Sequence, residues 1–494
     1  MKKTVFSILT TVLFCASALA QQPSAPPTDM AAQTSGKVKR LNRAPVSNEV
    51  LKVKLPSAKE VVLPNGLTVL VLEQHRLPTV SYSLWIKSGA VSDPKDMPGL
   101  ASFTADMLRE GTTTRKSSQI AMELDEMGAA LNANAEFGRD LTSISASSLS
   151  DSADKTMELM ADVTLNATFP ADELERYRRR ELLGLTQIRT NPGFLARERF
   201  ARAIYGDSPL ATQSATVESL KGVTPEAMKA FREKYYAPNN AILGITGDIT
   251  LAQAQALAKK HFGAWKKADL PKSAMPDITA RNAAKVYLVD RPGSVQSNIL
   301  AGGVSLKRSD PDYIPLTIAN RILGGGSSAR LFQNLREDKG YTYGAYSRVS
   351  SDIYPGTFVA NTEVRNAVTD GSLHEMMFEM KRLRDETVPA QELEEAKRAI
   401  VASFALSLES PADLLNRSLT VKYYGLPADY WDRYPEQVAR VNAATVQNIA
   451  KKYIDLPHMQ IVVVGDAKQV SEAVSKYGTV ENFDADGKAI ANKP

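Results

Sequence analysis

Four histidines (His75, His261, His374 and His458) and one cysteine (Cys15) are all that the 494 residues offer to imidazole or thiolate chemistry. No two of the histidines lie within a helical turn of each other, so none forms the spaced pair with which a helix grips zinc. His374-Glu375 begins like such a motif, but the place of the second histidine, four residues on, is Phe378. All four read as surface histidines at or beside element ends. Gly324-Gly325-Gly326-Ser327-Ser328 lacks the Gly-Lys-Ser/Thr that must follow in a phosphate loop. It reads as a tight loop before a helix at Arg330. A self-contained metal or thiol enzyme would have to work from very little.

The bulk composition narrows the classes further. Hydrophobic residues make up 43% and charged residues 23%, the balance of a globular chain rather than a disordered or fibrous one. Sixty basic residues are interspersed with 55 acidic ones, for a net charge of +5. Nothing clusters into a nucleic-acid footprint. Lys2 and Lys3, the apolar run from Val5 to Phe14 and the small-residue site Ala18-Leu19-Ala20 read as a sorting signal over residues 1–20. The run is too short to span a bilayer comfortably. Phe14 is too bulky for a lipoprotein cleavage site ahead of Cys15. The expected product is exported, periplasmic if the source is Gram-negative, and free of cysteine, so it has neither disulfide nor thiol nucleophile. Residues 21–58, rich in Pro, Gln, Ser, Ala and Thr with a basic cluster at Lys37, Lys39, Arg40 and Arg43, read as a flexible leader.

The elements that must position any site come in two similar sets. Val223-Thr224-Pro225, a helical stretch, Lys234-Tyr235-Tyr236 and a strand closed by Gly247-Asp248 match Val441-Asn442, a helical stretch, Lys452-Tyr453 and a strand closed by Gly465-Asp466. The two Gly-Asp pairs stand 218 residues apart, as do Val223 and Val441. That period indicates a duplicated domain, not a solenoid repeat. The first copy is expected over 59–265, a polar boundary over 266–284, the second copy over 285–480 and a tail over 481–494. Pro64-Asn65-Gly66 predicts a hairpin, Thr79–Lys87 and Asp140–Leu149 strands, Gly99–Glu110 a helix, and Asp172–Arg189 a long charged helix ending at Asn191-Pro192. Lys285–Val289 and Ile299–Val304 predict strands, and Pro315–Leu323 and Ala329–Glu337 helices. Mainly antiparallel strands with helices beside them make the fold class α+β.

Several stretches together resemble the M16 zinc metallopeptidases (pitrilysin, insulin-degrading enzyme, mitochondrial processing peptidase). They are Leu63-Pro64-Asn65-Gly66-Leu67, Ser88-Gly89-Ala90, Gly99-Leu100-Ala101, Met107-Leu108 with Gly111-Thr112, and Tyr236-Ala237-Pro238-Asn239-Asn240. The resemblance runs from Lys59 to about Tyr477 and implies two related α+β domains forming half of a hollow clamshell. The family's chemistry uses His-x-x-Glu-His on the helix after Gly-Leu-Ala, two histidines for zinc and a glutamate to activate water. Here those positions read Ser102-Phe103-Thr104-Ala105-Asp106. The third family ligand, a glutamate in a later helix, aligns with Gly184, and Glu181 is the nearby carboxylate. Ser102 and Asp106 share a helix face, but a hydroxyl and one carboxylate make a poor zinc site. The resemblance therefore implies no metal in this chain.

In the second copy, Leu331 to Gly344 resembles the family's Arg-x₆-Tyr segment, which places the family pair at Arg336 and Tyr343. A guanidinium and a phenol can donate hydrogen bonds to a carbonyl oxygen that gains charge during attack. The implied function is a non-catalytic subunit of a heterodimeric M16 peptidase. Zinc is expected in a partner subunit with an intact motif, and the substrates are peptides or unfolded proteins. The alternatives are an M16-fold scaffold or binding protein with no role in proteolysis, and a peptidase built on an unrecognised site.

Overall fold

A computed structural model describes residues 49–271, 278 and 281–491. The expected sorting signal, most of the expected leader and part of the expected boundary lie outside the described residues.

The first half builds a six-stranded sheet from β1 (Lys59–Val62), β2 (Thr68–Glu73), β3 (Thr79–Ile86), β4 (Ala130–Ala135), β5 (Thr142–Leu149) and β6 (Ala241–Gly247). Their spatial order is β1-β2-β6-β3-β5-β4, with β2 and β6 parallel and the other neighbours antiparallel. Asn65-Gly66 makes the expected β1–β2 hairpin, Gly66 taking φ +88°. The second half builds seven strands: β7 (Lys285–Asp290), β8 (Gln296–Val304), β9 (Thr342–Val349), β10 (Thr357–Arg365), β11 (Gln460–Gly465), β12 (Thr479–Phe483) and β13 (Ala489–Ile490). Their order is β13-β12-β7-β11-β8-β10-β9. The run β7-β11-β8-β10-β9 repeats β2-β6-β3-β5-β4 strand for strand. Both sheets are mixed, mainly antiparallel, and flanked by helices: the α+β class read from the sequence.

Hydrophobic patterning dictates how the sheets are covered. Every residue of β6 and of β11 is buried, as Val/Ile/Leu-rich strands require when both faces of a sheet are covered. On one face of the first sheet pack the helices Leu100–Met107, Ala153–Asn166, Pro225–Tyr235 and Leu251–Phe262. The equivalent face of the second carries Tyr313–Gly324, Thr369–Asp385, Ala443–Tyr453 and Ala467–Ser475. The remaining faces are covered by exchange. Helix Pro192–Tyr205, from the first half, sets Phe194, Leu195, Phe200 and Ile204 against Tyr287, Leu300, Val462 and Val464 of the second sheet. Helix Pro411–Tyr424, from the second half, sets Leu415, Leu419 and Tyr423 against Leu70 and Ile242 of the first. Gly244 in β6 permits this approach: a Cβ there would stand 3.0 Å from a Leu415 methyl carbon.

The two exchanged helices begin alike. Asn191 caps the first, its side chain accepting from Phe194 N, and Pro192 follows. Ser410 caps the second, accepting from Asp413 N, and Pro411 follows. An oxygen-bearing cap before proline is a standard helix start. Polar ties reinforce the exchange: Arg139 Nε donates to Asp352 at 3.0 Å, and the Tyr423 hydroxyl donates to the Asp140 carbonyl at 3.0 Å.

Two expectations need correction at their edges. Residues 481–490 are not a tail: β12 pairs in parallel with β7, and Phe483 packs in the core beneath helix Pro192–Tyr205. Nor is the end of the leader loose. Leu55 N donates to Asp432 at 2.8 Å, and Val53 packs against the second core. Polar composition hid both, because each segment is fixed by a few long-range contacts.

The exchange is testable by truncation. Leu419 is fully buried, so Leu419→Ala is expected to lower the unfolding free energy by about 2–5 kcal/mol in urea denaturation. Leu406, 70% exposed, is the control, and its Ala variant should stay within about 0.5 kcal/mol of the parent.

Candidate functional site

The first place to examine is helix Leu100–Met107, which begins at Gly99. Gly99 takes φ +99°, and a Cβ there would meet Phe103, Ala215 and Phe137 at 3.1–3.3 Å. The free N–H groups of this helix start are capped from a distance: Asp93 accepts from Gly99 N at 2.7 Å and from Ala101 N at 2.8 Å. Burial pushes the Asp93 carboxyl up to about 7 against those two bonds.

Ser102 and Asp106 lie on this helix, and each is already engaged. The Ser102 hydroxyl donates to the carbonyl of Ala135 at the end of β4. Asp106 accepts from the Tyr177 hydroxyl at 2.6 Å. Tyr177 belongs to helix Ala171–Ile188 and meets Phe103 edge-on at 5.8 Å. Although Asp106 is open to solvent, the protein wall around it raises its carboxyl above the ordinary range, Tyr177 opposing and the charge of Glu181 adding. Glu181, four residues after Tyr177, pairs with Arg180 at 3.3 Å. A Cβ at Gly184 would meet nothing within 4 Å. Two spaced carboxylates, a committed hydroxyl and no imidazole do not fit a zinc centre of the family type.

The histidines are separated, each beside its own carboxylate. His75 Nδ1 lies 2.8 Å from Asp248, whose hydrogen bond raises the imidazole pKa. His261 Nε2 lies 2.6 Å from Asp154, His374 3.4 Å from Glu375, and His458 Nδ1 2.7 Å from Asp455. His261 departs from the surface expectation: its side chain is 8% exposed, tucked between the last turn of helix Leu251–Phe262 and Asp154. Among the described residues no group of three His, Cys, Asp or Glu is placed to hold a metal ion.

The second place is the entrance to β9. The expected helix Ala329–Glu337 forms as Arg330–Phe332 running into a π-helical turn, Gln333–Asp338. Leu331 and Leu335 are fully buried beneath it, and Arg330 clamps Glu392 through two bonds at 2.8 and 2.7 Å. The widened turn carries Arg336 toward the edge strand. Arg336 Nη1 donates to the Tyr343 carbonyl at 3.3 Å, and the guanidinium lies 5.2 Å from the centre of the Phe332 ring. Tyr343 is 90% exposed. The two residues named from the sequence thus sit together, Arg336 held to the backbone of Tyr343 and both side chains facing solvent. Gly324, in the glycine-rich loop, packs against the edge strand: a Cβ there would stand 2.3 Å from Ser347 N.

Sequence reasoning missed the Tyr177–Asp106 bond, which joins residues 71 apart. It also missed the exchanged helices, although a capping residue followed by proline recurs at 191–192 and 410–411. No helix among the described residues is long and apolar enough to cross a membrane.

Comparison with known proteins covers most of the chain. The family description "Insulinase (Peptidase family M16)" matches residues 68–216, and "Peptidase M16 inactive domain" matches 222–400. A Bacillus subtilis protein named as the uncharacterized zinc protease YmxG is 24% identical over 368 residues, which is 73% of this chain and 87% of that one. The crystal structure of a peptidase M16 inactive domain from Pseudomonas fluorescens superposes with a TM-score of 0.77 at 28% identity, covering 83% of this chain and 97% of the other. The periplasmic protease PqqL from Escherichia coli shares the fold at 17% identity with a TM-score of 0.71. There the match takes in 90% of this chain but 49% of PqqL.

The Asp93 cap makes stability depend on pH. With its folded pKa raised above the ordinary carboxylate value, its contribution is complete below that value and is lost as pH climbs through about 7. The thermal midpoint is therefore expected to fall between about pH 4 and about pH 7. Asp93→Asn should flatten that dependence in melts followed by circular dichroism.

Proposed function

The chain belongs to the M16 peptidase family, and from that premise we propose that it is the non-catalytic subunit of an exported, heterodimeric M16 peptidase. A partner subunit with an intact His-x-x-Glu-His motif carries the zinc. This chain closes the chamber and presents Arg336 and Tyr343 to the substrate, a peptide or unfolded protein.

One contrast carries this reading. At the place of the zinc motif, Ser102 and Asp106 are bonded to Ala135 and Tyr177. At the other half of the family site, Arg336 and Tyr343 stand together with exposed side chains. A phenol left 90% exposed at a strand edge gains little in the isolated chain, and its hydroxyl is a donor in waiting. With the Arg336 guanidinium it can hydrogen-bond a peptide carbonyl as its oxygen becomes more negative, an effect that strengthens toward the transition state. The relatives named as zinc proteases support the class of reaction.

The isolated chain is expected to hold no stoichiometric zinc and to hydrolyse no peptide; metal analysis and peptidase assays of the chain alone and with its partner check this. Within the complex, Arg336→Ala and Tyr343→Phe should each lower kcat by about a hundredfold. If both variants stay within about threefold of the parent, the role in trans is wrong.

A further inference from the structure

The same junction occurs once in each copy. Helix Ala171–Ile188 ends at Arg189, and the borrowed helix Pro192–Tyr205 follows from its cap, Asn191. Helix Ala390–Leu406 ends at Ser407, and the borrowed helix Pro411–Tyr424 follows from its cap, Ser410. In the first copy Arg189 holds both oxygens of Glu198, seven residues past the cap. In the second copy Ser407 takes the place of Arg189, and Arg417, seven residues past its own cap, takes the place of Glu198. A closed ion pair in one copy is a serine and a lone guanidinium in the other.

Arg417 lines a recess of about 390 Å³. The other charged group there is Arg321, and among the described residues no carboxylate lines it. The Arg417 guanidinium lies 4.4 Å from the centre of the Trp431 ring and 4.7 Å from that of Phe404, two rings stacked at 18°. Trp431 is fixed in turn, its Nε1 donating to the Arg417 carbonyl at 3.1 Å. This setting leaves the guanidinium short of acceptors. Nη2 donates to the Ser407 hydroxyl, and Nε is buried without a partner. Nη1 makes no hydrogen bond to the described residues. Neither arginine has an ion-pair partner among them. Burial lowers the Arg417 pKa, the charge of Arg308 adding to the effect and those of Tyr434 and Asp413 opposing it.

The groups that oppose an anion here do not cancel the arginines. Helices Tyr313–Gly324 and Ala390–Leu406 end beside the recess, each carboxyl end worth about half a negative charge. Their carbonyls are engaged: Gly325 O accepts from Arg321 Nη1, Phe404 O from the Ser407 hydroxyl, and Ser403 O from Ser407 N. Asp413 adds one negative charge, one turn before Arg417. Against these stand Arg308, Arg321 and Arg417, a surplus of about one positive charge. We infer that the recess binds a small organic carboxylate, its charge beside Arg417 Nη1 and its apolar body against Ala399, Ile400 and the Tyr434 ring. A guanidinium laid on aromatic faces with an edge free is suited to a planar carboxylate. A free acid and the apolar C-terminal residue of a peptide share this chemistry. The inference goes beyond the proposed subunit role, since it concerns binding by this chain alone.

The test uses the purified full chain, with binding read by tryptophan emission and titration calorimetry at low salt. The probes are hydrocinnamate and its amide, N-acetyl-phenylalanine and its amide, and acetate. Either or both apolar acids are expected to bind about tenfold or more tightly than the matching amide and than acetate; which of them does identifies the source of the carboxylate. Arg417→Gln should erase the acid preference, and Arg321→Gln should reduce it about threefold or more. The double variant Ser407→Arg with Arg417→Glu rebuilds the closed pair of the first copy. It should keep the thermal midpoint and bind no acid, which separates loss of the site from loss of the fold. Glu198→Gln, at the twin junction, should leave acid binding unchanged. Equal binding of acid and amide, acetate binding as tightly as the apolar acids, no binding by any probe, or a preference that survives Arg417→Gln within about twofold overturns the site. Such a failure leaves the Arg336 and Tyr343 kinetics untouched, and flat kinetics there leave the acid preference untouched.

Discussion

Strands that are apolar on both faces cannot be left half covered, and the rest of this molecule depends on that constraint. β6 and β11 are buried throughout, yet the helices that each half keeps for itself cover only one side of its sheet. The second side is covered by a helix on loan, Pro192–Tyr205 in one direction and Pro411–Tyr424 in the other. A fully buried Leu or Phe side chain contributes about 1.5–3 kcal/mol, so Leu419, Leu415, Phe194 and Phe200 together matter on the scale of a domain's whole stability. The halves are two by ancestry and one by packing. The exchange also decides which surfaces stay open: beyond each borrowed helix, the sheet edge at β4 or β9 remains uncovered.

A helix that displays no histidine still keeps its place in the fold. Ser102 and Asp106 found local partners, the Ala135 carbonyl and the Tyr177 hydroxyl, so neither is left as a buried polar orphan. The helix that carries them is held by Asp93 through backbone bonds that do not depend on what the helix displays. Beside helix Pro192–Tyr205 the second sheet holds Glu363 and Arg365 with Arg197 on the helix, where the first copy has Ser147, Leu149 and Asn416 at the matching positions.

Much of this was legible in the chain. The Gly-Asp strand ends 218 residues apart gave the duplication, and Asn65-Gly66 gave a hairpin. What was not legible shares a cause. The Tyr177–Asp106 bond, the Leu55–Asp432 bond and the β12–β7 pairing join residues 71, 377 and close to 200 positions apart, and local periodicity carries no information at that range. The π-helical turn at 333–338 was likewise invisible, because its residues are ordinary helix formers.

The borrowed helices also set a timetable. The apolar face around Leu70 and Ile242 leaves the ribosome roughly 170 residues ahead of Leu415, Leu419 and Tyr423, which cover it. At about 5–20 residues per second, that face waits roughly ten to thirty seconds for its cover. Throughout that interval the nascent first half carries an uncovered apolar face, which closes only when residues 411–424 appear.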